Sequence, residues 1–259
     1  MKKMIDFEIL SNEKLNDQNH LLKITPLNHE KLPQIYPGQF VEIYVPNSKS
    51  TFLRRPISIN FVDESQNTLW LLIQNVGNGT AALCASKIGQ KLNIIFPLGN
   101  SFTLPDNQNK RTLLVGGGVG IAPMLFLGKV LKNNGFVPEF LLGGRSASDV
   151  LQIDEFEKFG KTNITTEDGS LGEKGFVTHH SVLAKQHYDK IYACGPKPMM
   201  VAISNYAYVQ NIECEVSLEN MMACGFGACL CCVEKTIRGN VCVCTEGPVF
   251  NIKELTWID

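Results

Sequence analysis

Six of the nine cysteines lie between residues 224 and 244, and their thiols are the side chains of this sequence best suited to metal chemistry. Cys224, Cys229 and Cys232 follow the spacing Cys-x4-Cys-x2-Cys, and Cys242 and Cys244 lie downstream. Plant-type [2Fe–2S] sites use this spacing with a fourth cysteine further along the chain, so that four thiolates hold two bridged irons. The pattern therefore predicts a [2Fe–2S] cluster with Cys224, Cys229 and Cys232 among its ligands.

The roles of the remaining thiols are less constrained by spacing. Spacing does not choose between Cys242 and Cys244 as the fourth ligand, whereas Cys231 falls inside the x2 interval and is predicted to be a neighbour of the cluster. A structural zinc site through Cys229 and Cys232 is the main alternative. A zinc ribbon, however, is built on two Cys-x2-Cys pairs and does not require the Cys-x4-Cys spacing of Cys224 and Cys229.

A glycine-rich segment, residues 116–123, reads GGGVGIAP and lies between a predicted strand and a predicted helix. Glycines at this place let a pyrophosphate approach the backbone at the positive end of a helix. The segment has neither the GxGxxG spelling of dinucleotide-binding folds nor the Lys-Ser/Thr pair of a P-loop. Taken alone, it predicts a phosphate site and tight packing about equally.

Three further motifs could bind anions or a ligand at a sheet edge. Residues 53–58 read LRRPIS, in which a guanidinium could clamp a phosphate and Ser58 adds a hydroxyl. Residues 77–80 read GNGT and open a predicted helix. Cys194-Gly195-Pro196 ends a predicted strand, at the edge where ligands gather in α/β sheets.

The overall composition excludes several functions. The 24 Lys and Arg residues balance 25 Asp and Glu residues, so the net charge of −1 gives no general attraction for nucleic acid or a membrane surface. No apolar segment typical of a secretory signal follows Lys2 and Lys3, and we expect a cytoplasmic protein without disulfides. The uncharged stretch 112–128 contains several glycines and Pro123, which argues against a membrane span.

The chain divides into three predicted parts. Residues 1–105 carry short runs rich in β-branched and aromatic residues, at 40–45, 57–61, 69–73 and 92–96, which predict a small β-barrel with one helix at 80–87. Residues 106–211 alternate strands with helices, the later helices at 154–159, 177–185 and 198–210, which predicts a parallel sheet covered by helices. Residues 212–259 form a small C-terminal segment that holds the cysteines.

The order of these motifs resembles the ferredoxin–NADP reductase superfamily with a C-terminal [2Fe–2S] domain. Within it, LRRPISI at 53–59, PLGNSF at 97–102, MACGFGAC at 222–229 and CTEGPVF at 244–250 look like the electron-transfer subunits of dihydroorotate dehydrogenase B. The resemblance covers essentially the whole chain. It implies a ferredoxin reductase-like fold made of an FAD-binding β-barrel, an NAD-binding α/β domain and an iron–sulfur segment.

The resemblance also implies roles for individual residues. The flavin residues carried over are Arg55, Pro56, Ile57, Ser58, Leu72, Ile73, Gln74, Gly79 and Thr80. The residues carried over for NAD(H) are Gly116, Gly117, Gly118, Gly120, Pro123, Gly195 and Pro196, with Cys194 beside the nicotinamide as the catalytic residue. Cys244, which precedes TEGPVF, matches the family's fourth cluster ligand and so joins Cys224, Cys229 and Cys232.

The implied activity is electron transfer in pyrimidine biosynthesis. Electrons would pass between NADH, FAD and the cluster to or from the FMN of a dihydroorotate dehydrogenase catalytic subunit, in a heterotetramer. This chain would be the oxidoreductase subunit that handles NAD(H), and its partner would oxidise dihydroorotate. The alternatives are a subunit of another NAD(P)H complex, of the sulfide dehydrogenase or bifurcating transhydrogenase type, a free oxygenase reductase, and a zinc-stabilised nucleotide-binding regulator.

Overall fold

The N-terminal part of the chain is a closed antiparallel β-barrel. The computed structural model describes residues 2–28, 30–46 and 51–258. The barrel strands are β1 (Lys3–Lys14), β2 (Asn19–Pro26), β3 (Phe40–Ile43), β4 (Arg55–Asp63), β5 (Thr68–Gln74) and β6 (Lys91–Leu98). They close in the order β1-β2-β5-β4-β3-β6, and helix α1 (Asn78–Cys84) connects β5 to β6.

The barrel closes because its strands alternate apolar and polar residues. In β6, Leu92, Ile94 and Phe96 are fully buried, and the residues between them are half-buried. In β3, Val41 and Ile43 point into the same core. Alternation at period two places one face of each strand inside the barrel.

The rest of the chain builds a seven-stranded sheet and a small hairpin. The strands are β7 (Thr112–Gly117), β8 (Pro138–Gly144), β9 (Lys161–Thr166), β10 (Glu173–Lys174), β11 (Lys190–Cys194), β12 (Glu213–Ser217), β13 (Val233–Thr236), β14 (Gly239–Cys242) and β15 (Val249–Asn251). The helices are α2 (Ala122–Asn133), α3 (Ile153–Glu157), α4 (Ser181–Lys185), α5 (Lys197–Val209) and α6 (Val243–Glu246). The sheet order is β10-β9-β8-β7-β11-β12-β15, with β13 and β14 paired separately.

This sheet is parallel except for β15, which runs antiparallel at the edge. The predicted combination of a β-barrel and a helix-covered parallel sheet is confirmed. The uncharged stretch 112–128 forms β7, a 3₁₀ turn and the start of α2. Among the described residues, no helix has the length and hydrophobicity needed to cross a bilayer.

Residues 213–217, predicted to belong to the C-terminal segment, form strand β12. Strand β12 pairs in register with β11, from Lys190 opposite Glu213 to Cys194 opposite Ser217, so it belongs to the sheet. The cysteine segment therefore leaves the sheet after β12 and returns to it as β15. The predicted helix 177–185 is also interrupted, because His180 is extended and its ring accepts the N–H of Val182 as the cap of α4.

Buried polar contacts fix the barrel against the sheet. Asn60 in β4 donates to the carbonyl of Ala122 at 3.2 Å and exchanges amide hydrogen bonds with Gln152 at 3.1 Å. On the sheet, the fully buried Lys190 donates to Thr103, in the connection that follows the barrel, at 2.6 Å. It also pairs with Glu213, which offsets the cost of burying its charge. These contacts join β4 to the region around α2 and α3, and the connection after the barrel to β11.

Candidate cofactor cleft and thiol site

A cleft of about 600 Å³ lies between the barrel and the carboxyl ends of the sheet strands. This is the edge where open α/β sheets bind ligands. On the sheet side the lining includes Gly117 and Gly118, which follow β7, and Pro196, which follows β11. On the barrel side it includes Asn19 and Gln74, which face each other across β2 and β5.

The predicted glycine motif divides into two functions in the structure. Gly118 has φ +56° and nothing within 4 Å of where a Cβ would stand, so its backbone is open to the cleft. Gly120 faces the other way: a Cβ there would lie 2.5 Å from the Cys194 carbonyl oxygen and from Gly195. A Cβ on Gly116 would lie 2.9 Å from Ile121. Gly116 and Gly120 thus allow close packing, while Gly117 and Gly118 line the cleft.

The remaining predicted NAD(H) residues also fall into these two groups. Pro196 lines the cleft, whereas Pro123 is buried at the start of α2. Gly195 has φ +154° and packs against the backbone of Gly117. The structure therefore brings the β7 and β11 loops together at one corner of the cleft.

Cys194 lies behind the cleft wall, fully buried. Its thiol approaches Glu219 Oε1 at 3.8 Å. Burial raises the pKa of the Cys194 thiol well above its ordinary value, and the nearby Glu219 raises it further. The neutral thiol is thus suited to packing and hydrogen bonding at this corner rather than to attack as a thiolate.

Glu219 is a cleft residue that sequence reasoning missed. The Glu219 side chain lines the cleft and is exposed to water there, while protein surrounds its other sides. This surrounding raises the pKa of the Glu219 carboxyl, and the Cys194 hydrogen bond opposes the rise. The available signal was its position immediately after the strand-like run CEVSL at 214–218, at the ligand-binding edge of the sheet.

The predicted flavin motif begins β4. Arg55, Pro56, Ile57 and Ser58 are each partly exposed, whereas Ile59 is fully buried. The guanidinium of Arg55 lies where a Cβ on Gly79 would collide with it, so only a glycine allows this approach at the start of α1. The motif therefore presents a cation, a prolyl ring and a hydroxyl on one accessible stretch of strand.

The other predicted flavin residues differ in burial and in the groups that they leave for a ligand. Leu72 and Ile73 are buried in packing cores, so their backbone atoms are the groups left for a ligand. Gln74 lines the cleft. The hydroxyl of Thr80 accepts the N–H groups of Val76 at 3.0 Å and Gly77 at 3.1 Å, which shapes the turn before α1.

The cysteine loop follows β12 and covers the outside of the barrel. Gly225 has φ +74° and sits against Glu42 of β3, with room for no side chain: a Cβ would lie 2.7 Å from Glu42 Cγ. Gly227 has φ +87° and packs on Thr245. These left-handed backbones, which favour glycine, turn the loop back so that its N–H groups face sulfur atoms.

All four predicted ligand sulfurs accept backbone N–H groups. The N–H of Gly227 donates to Cys244 Sγ at 3.2 Å, that of Cys244 to Cys232 Sγ at 3.4 Å, and that of Cys231 to Cys229 Sγ at 3.5 Å. Burial raises the pKa of Cys224, but the N–H groups of residues 226, 229 and 228 outweigh it and bring that pKa to about 6. At Cys244, burial and the neighbouring Cys232 outweigh the Gly227 N–H and raise the pKa to about 12. The N–H donors therefore favour the thiolate, the form that binds iron, most clearly at Cys224.

The thiols approach one another in pairs. Cys224 hydrogen-bonds with Cys229, and Cys244 with Cys232. Among the residues that the structure describes, no three cysteine, histidine or acidic side chains form a compact metal-binding group. A single zinc ion needs four ligands around one point, whereas two bridged irons take two thiolates each. The two thiol pairs, Cys224 with Cys229 and Cys232 with Cys244, match the two irons of a [2Fe–2S] cluster.

The two extra thiols of this segment are placed differently. Cys231 is exposed. Cys242 is half-buried at the end of β14, and its thiol also approaches Cys232. Cys244 is buried and receives the N–H of Gly227 from the opposite arm of the loop, which favours it over Cys242 as the fourth ligand.

Two family models match the chain. Residues 219–256 match the iron–sulfur cluster binding domain of dihydroorotate dehydrogenase B, and residues 114–205 match an oxidoreductase NAD-binding domain. The first match covers the cysteine segment, and the second runs from within β7 to within α5.

Relatives extend the similarity to most of the chain. The electron transfer subunit of dihydroorotate dehydrogenase B (NAD(+)) from Fusobacterium nucleatum is 40% identical over 223 residues, covering 83% of this chain and 84% of that protein. The subunit of the same name from Caldanaerobacter subterraneus is 41% identical over 226 residues, covering 85% and 87%.

Solved structures share the architecture. The NADH-dependent reduced ferredoxin-NADP oxidoreductase, studied for flavin-based electron bifurcation, superposes with a TM-score of 0.85 at 29% identity, covering 96% of this chain and 89% of that one. The ferredoxin reductase of carbazole 1,9a-dioxygenase has a TM-score of 0.68 at 18% identity, covering 82% and 67%, and shares the fold.

Proposed function

Because the chain belongs to the family of dihydroorotate dehydrogenase B electron-transfer subunits, we propose that it carries electrons between NAD(H) and a catalytic partner subunit that oxidises dihydroorotate in pyrimidine biosynthesis. FAD, when bound, exchanges hydride with NAD(H), and a [2Fe–2S] cluster exchanges single electrons. The chain is thus the NADH-linked oxidoreductase subunit, and the chemistry on dihydroorotate belongs to its partner.

The short path between the flavin motif and the cysteine loop carries this proposal. Pro56, in the flavin motif, lies opposite Glu42 in the neighbouring strand β3. Glu42 in turn lies against Gly225, the residue that follows Cys224. One strand, about 5 Å wide, therefore separates the two sites. An arrangement of this kind lets electrons pass between two cofactors without leaving the chain.

We assign the flavin to the accessible start of β4 and the adjoining helix. Arg55 would pair with its diphosphate beside Gly79, and Ser58 would lie towards the ring. The backbone at Leu72 and Ile73, the side chain of Gln74, and the Gly79–Thr80 turn complete the site. The partial exposure of the strand from Arg55 to Ser58 supports this assignment.

We assign NAD(H) to the cleft. The backbone at Gly117 and Gly118 would receive its diphosphate, with Gly116, Gly120 and Pro123 shaping the loop from behind. Cys194, Gly195 and Pro196 would form the nicotinamide corner, where Glu219 also stands. The convergence of the β7 and β11 loops at that corner supports this placement.

The charged cleft residues that follow β8 and β9 favour NADH over NADPH. Arg145 could meet a 2′-phosphate, but its Nε lies 3.6 Å from the Asp149 carboxylate. Asp149 and Glu167 line the cleft beside it. Two carboxylates against one guanidinium disfavour an additional phosphate, in keeping with the NAD(+) in the names of both relatives.

The cluster ligands we propose are Cys224, Cys229, Cys232 and Cys244. Around them, Met221, Phe226 and Leu230 are more than half exposed, an unusual concentration of apolar side chains for a free surface. This patch suits contact with the partner. We propose that the partner carries FMN, that the two subunits form a heterotetramer, and that it works in the cytoplasm, where thiols stay reduced.

Two other electron-transfer functions are less well supported. A bifurcating transhydrogenase or sulfide dehydrogenase subunit would be expected to have an aspartate near the first ligand position, where this chain has Cys224. Identity to the bifurcating enzyme, 29%, is also lower than the 40% to the Fusobacterium subunit. A free oxygenase-type reductase would not need a bound partner.

Reconstitution with the catalytic subunit tests the proposed function. We expect the two chains to co-purify, and dihydroorotate to reduce NAD+ only when both are present. The catalytic subunit alone, with the same additions, is the control. A chain that forms no complex and passes NADH electrons to a diffusing acceptor at full rate would instead be a free reductase.

A further inference from the structure

Glu42 is a fully buried carboxyl group without a hydrogen-bond partner. Its side chain has no exposed surface, and neither Oε1 nor Oε2 is hydrogen-bonded within the described ranges. Buried carboxyl groups in proteins are normally paired or hydrogen-bonded, because the charged form is costly to remove from water. An exception of this kind calls for an explanation in the function of the site.

The strand places this carboxyl group under the cysteine loop. Val41 and Ile43 point into the barrel core, so Glu42 between them points outward. There it meets Gly225: the Cβ position of that glycine lies 2.7 Å from Glu42 Cγ and 3.1 Å from Oε1. The side chain of Leu98, in β6, lies 3.1 Å from the same Cβ position. The carboxyl group therefore sits beside the loop arm that carries Cys224.

The neighbouring cation does not neutralise the group by direct contact. The Arg54 guanidinium donates to the backbone carbonyl of Glu42 at 3.3 Å. Its other bonds go to the carbonyl oxygen of Asn93 at 2.9 Å, to the Asn93 side-chain oxygen at 2.5 Å and to the Met4 sulfur at 3.6 Å. Burial raises the pKa of the Glu42 carboxyl to about 7, and Arg54 opposes this rise from a distance. The group is therefore charged at pH 8.5, and neither of its oxygens is hydrogen-bonded among the described residues.

We propose that Glu42 is a positioning residue that lowers the reduction potential of the cluster. The inference rests on the proposed function, since it assumes a cluster bound through Cys224. A negative charge fixed beside the cluster opposes the arrival of an electron, and the low dielectric of a buried site strengthens this effect. A lower potential makes the reduced cluster a stronger electron donor, which favours electron flow towards the flavin and NAD+.

Redox titration of the purified chain, with the reduced cluster followed by its electron paramagnetic resonance signal at pH 8.5, tests the proposal. Glu42→Gln keeps the shape of the side chain and removes its charge. We expect it to favour reduction of the cluster by at least about threefold, or about 28 mV at 59 mV per tenfold. Glu42→Asp keeps the charge but withdraws it from Gly225, and should give a smaller shift in the same direction.

The control is Glu8→Gln, which removes a carboxylate from the same barrel. Glu8 pairs with Lys91 at the opposite end of β6 from Leu98, roughly 20 Å along the strand. The cluster potential of the Glu8→Gln variant should match that of the unmodified protein. If Glu42→Gln does not assemble a cluster, the shift in Glu42→Asp decides.

The outcomes separate the two proposals. A cluster potential that is unchanged in Glu42→Gln, or in Glu42→Asp where that variant decides, overturns the role of Glu42. A shift of equal size in Glu8→Gln overturns it as well. Absence of any cluster signal from the unmodified protein would overturn the proposed function itself.

Discussion

Replacement of Cys232 by serine is expected to abolish the cluster and leave the flavin bound. Cys232 is buried, and its sulfur accepts the N–H of Cys244 at 3.4 Å. It also hydrogen-bonds with the Cys244 thiol, so the two sulfurs form one of the two thiol pairs. A hydroxyl is a much weaker ligand for iron than a thiolate. Iron and sulfide analysis, together with the visible spectrum, should show loss of the cluster while flavin absorption and its reduction by NADH persist.

The exposed thiol of Cys231 makes a second variant necessary. Cys231 is adjacent in sequence and could replace the missing ligand, so the double variant Cys231→Ser/Cys232→Ser excludes that exchange. Cys231→Ser alone is the matched control and should keep the full cluster. Retention of the cluster in the double variant would mean that Cys232 is not a ligand.

Gly120→Ala is expected to have the largest effect on nucleotide binding. The added methyl group would stand 2.5 Å from the Cys194 carbonyl oxygen and from Gly195, and these are backbone atoms that cannot rotate away. Overpacking of this kind typically costs about 1–3 kcal/mol. Because the strain pushes apart the β7 and β11 loops, to which we assign the nicotinamide, affinity for NADH should fall at least about tenfold, equivalent to about 1.4 kcal/mol.

Gly117→Ala is the control for the collision between the added methyl group and backbone atoms. Its methyl group would also stand 2.5 Å from a neighbour, but that neighbour is the sulfur of Met199, the end of a flexible side chain. Urea unfolding should therefore show a smaller loss of stability than for Gly120→Ala. Equal losses of stability in the two variants would contradict the packing role of Gly120.

The cysteine spacing and the β-barrel core were predictable because both are local patterns. Cys-x4-Cys-x2-Cys sets the ligand geometry within one loop, and alternation such as Leu92, Ile94 and Phe96 defines a strand without reference to the rest of the chain. Strands β1 and β2 escaped prediction. In β1, Ile5, Phe7 and Ile9 alternate with Asp6 and Glu8, so the strand pattern was present in the sequence and was not used.

The departures from prediction arise from contacts between distant segments. Nothing local in the sequence shows that Gly120 packs on Cys194 while Gly118 faces the cleft, and the motif therefore reads as one phosphate loop. Glu42 has the pattern of an outward, solvated strand residue. It points outward as expected, but the cysteine loop, far along the chain, covers it.

Anaerobic addition of NADH to the purified chain, without its partner, tests most directly the claim that this single chain links hydride transfer to one-electron transfer. The visible spectrum would follow the flavin, and the electron paramagnetic resonance signal of the same sample would follow the reduced cluster. We predict that NADH bleaches the flavin and produces the cluster signal together. A bleached flavin beside a cluster that stays oxidised, yet is reducible by dithionite, would contradict the account.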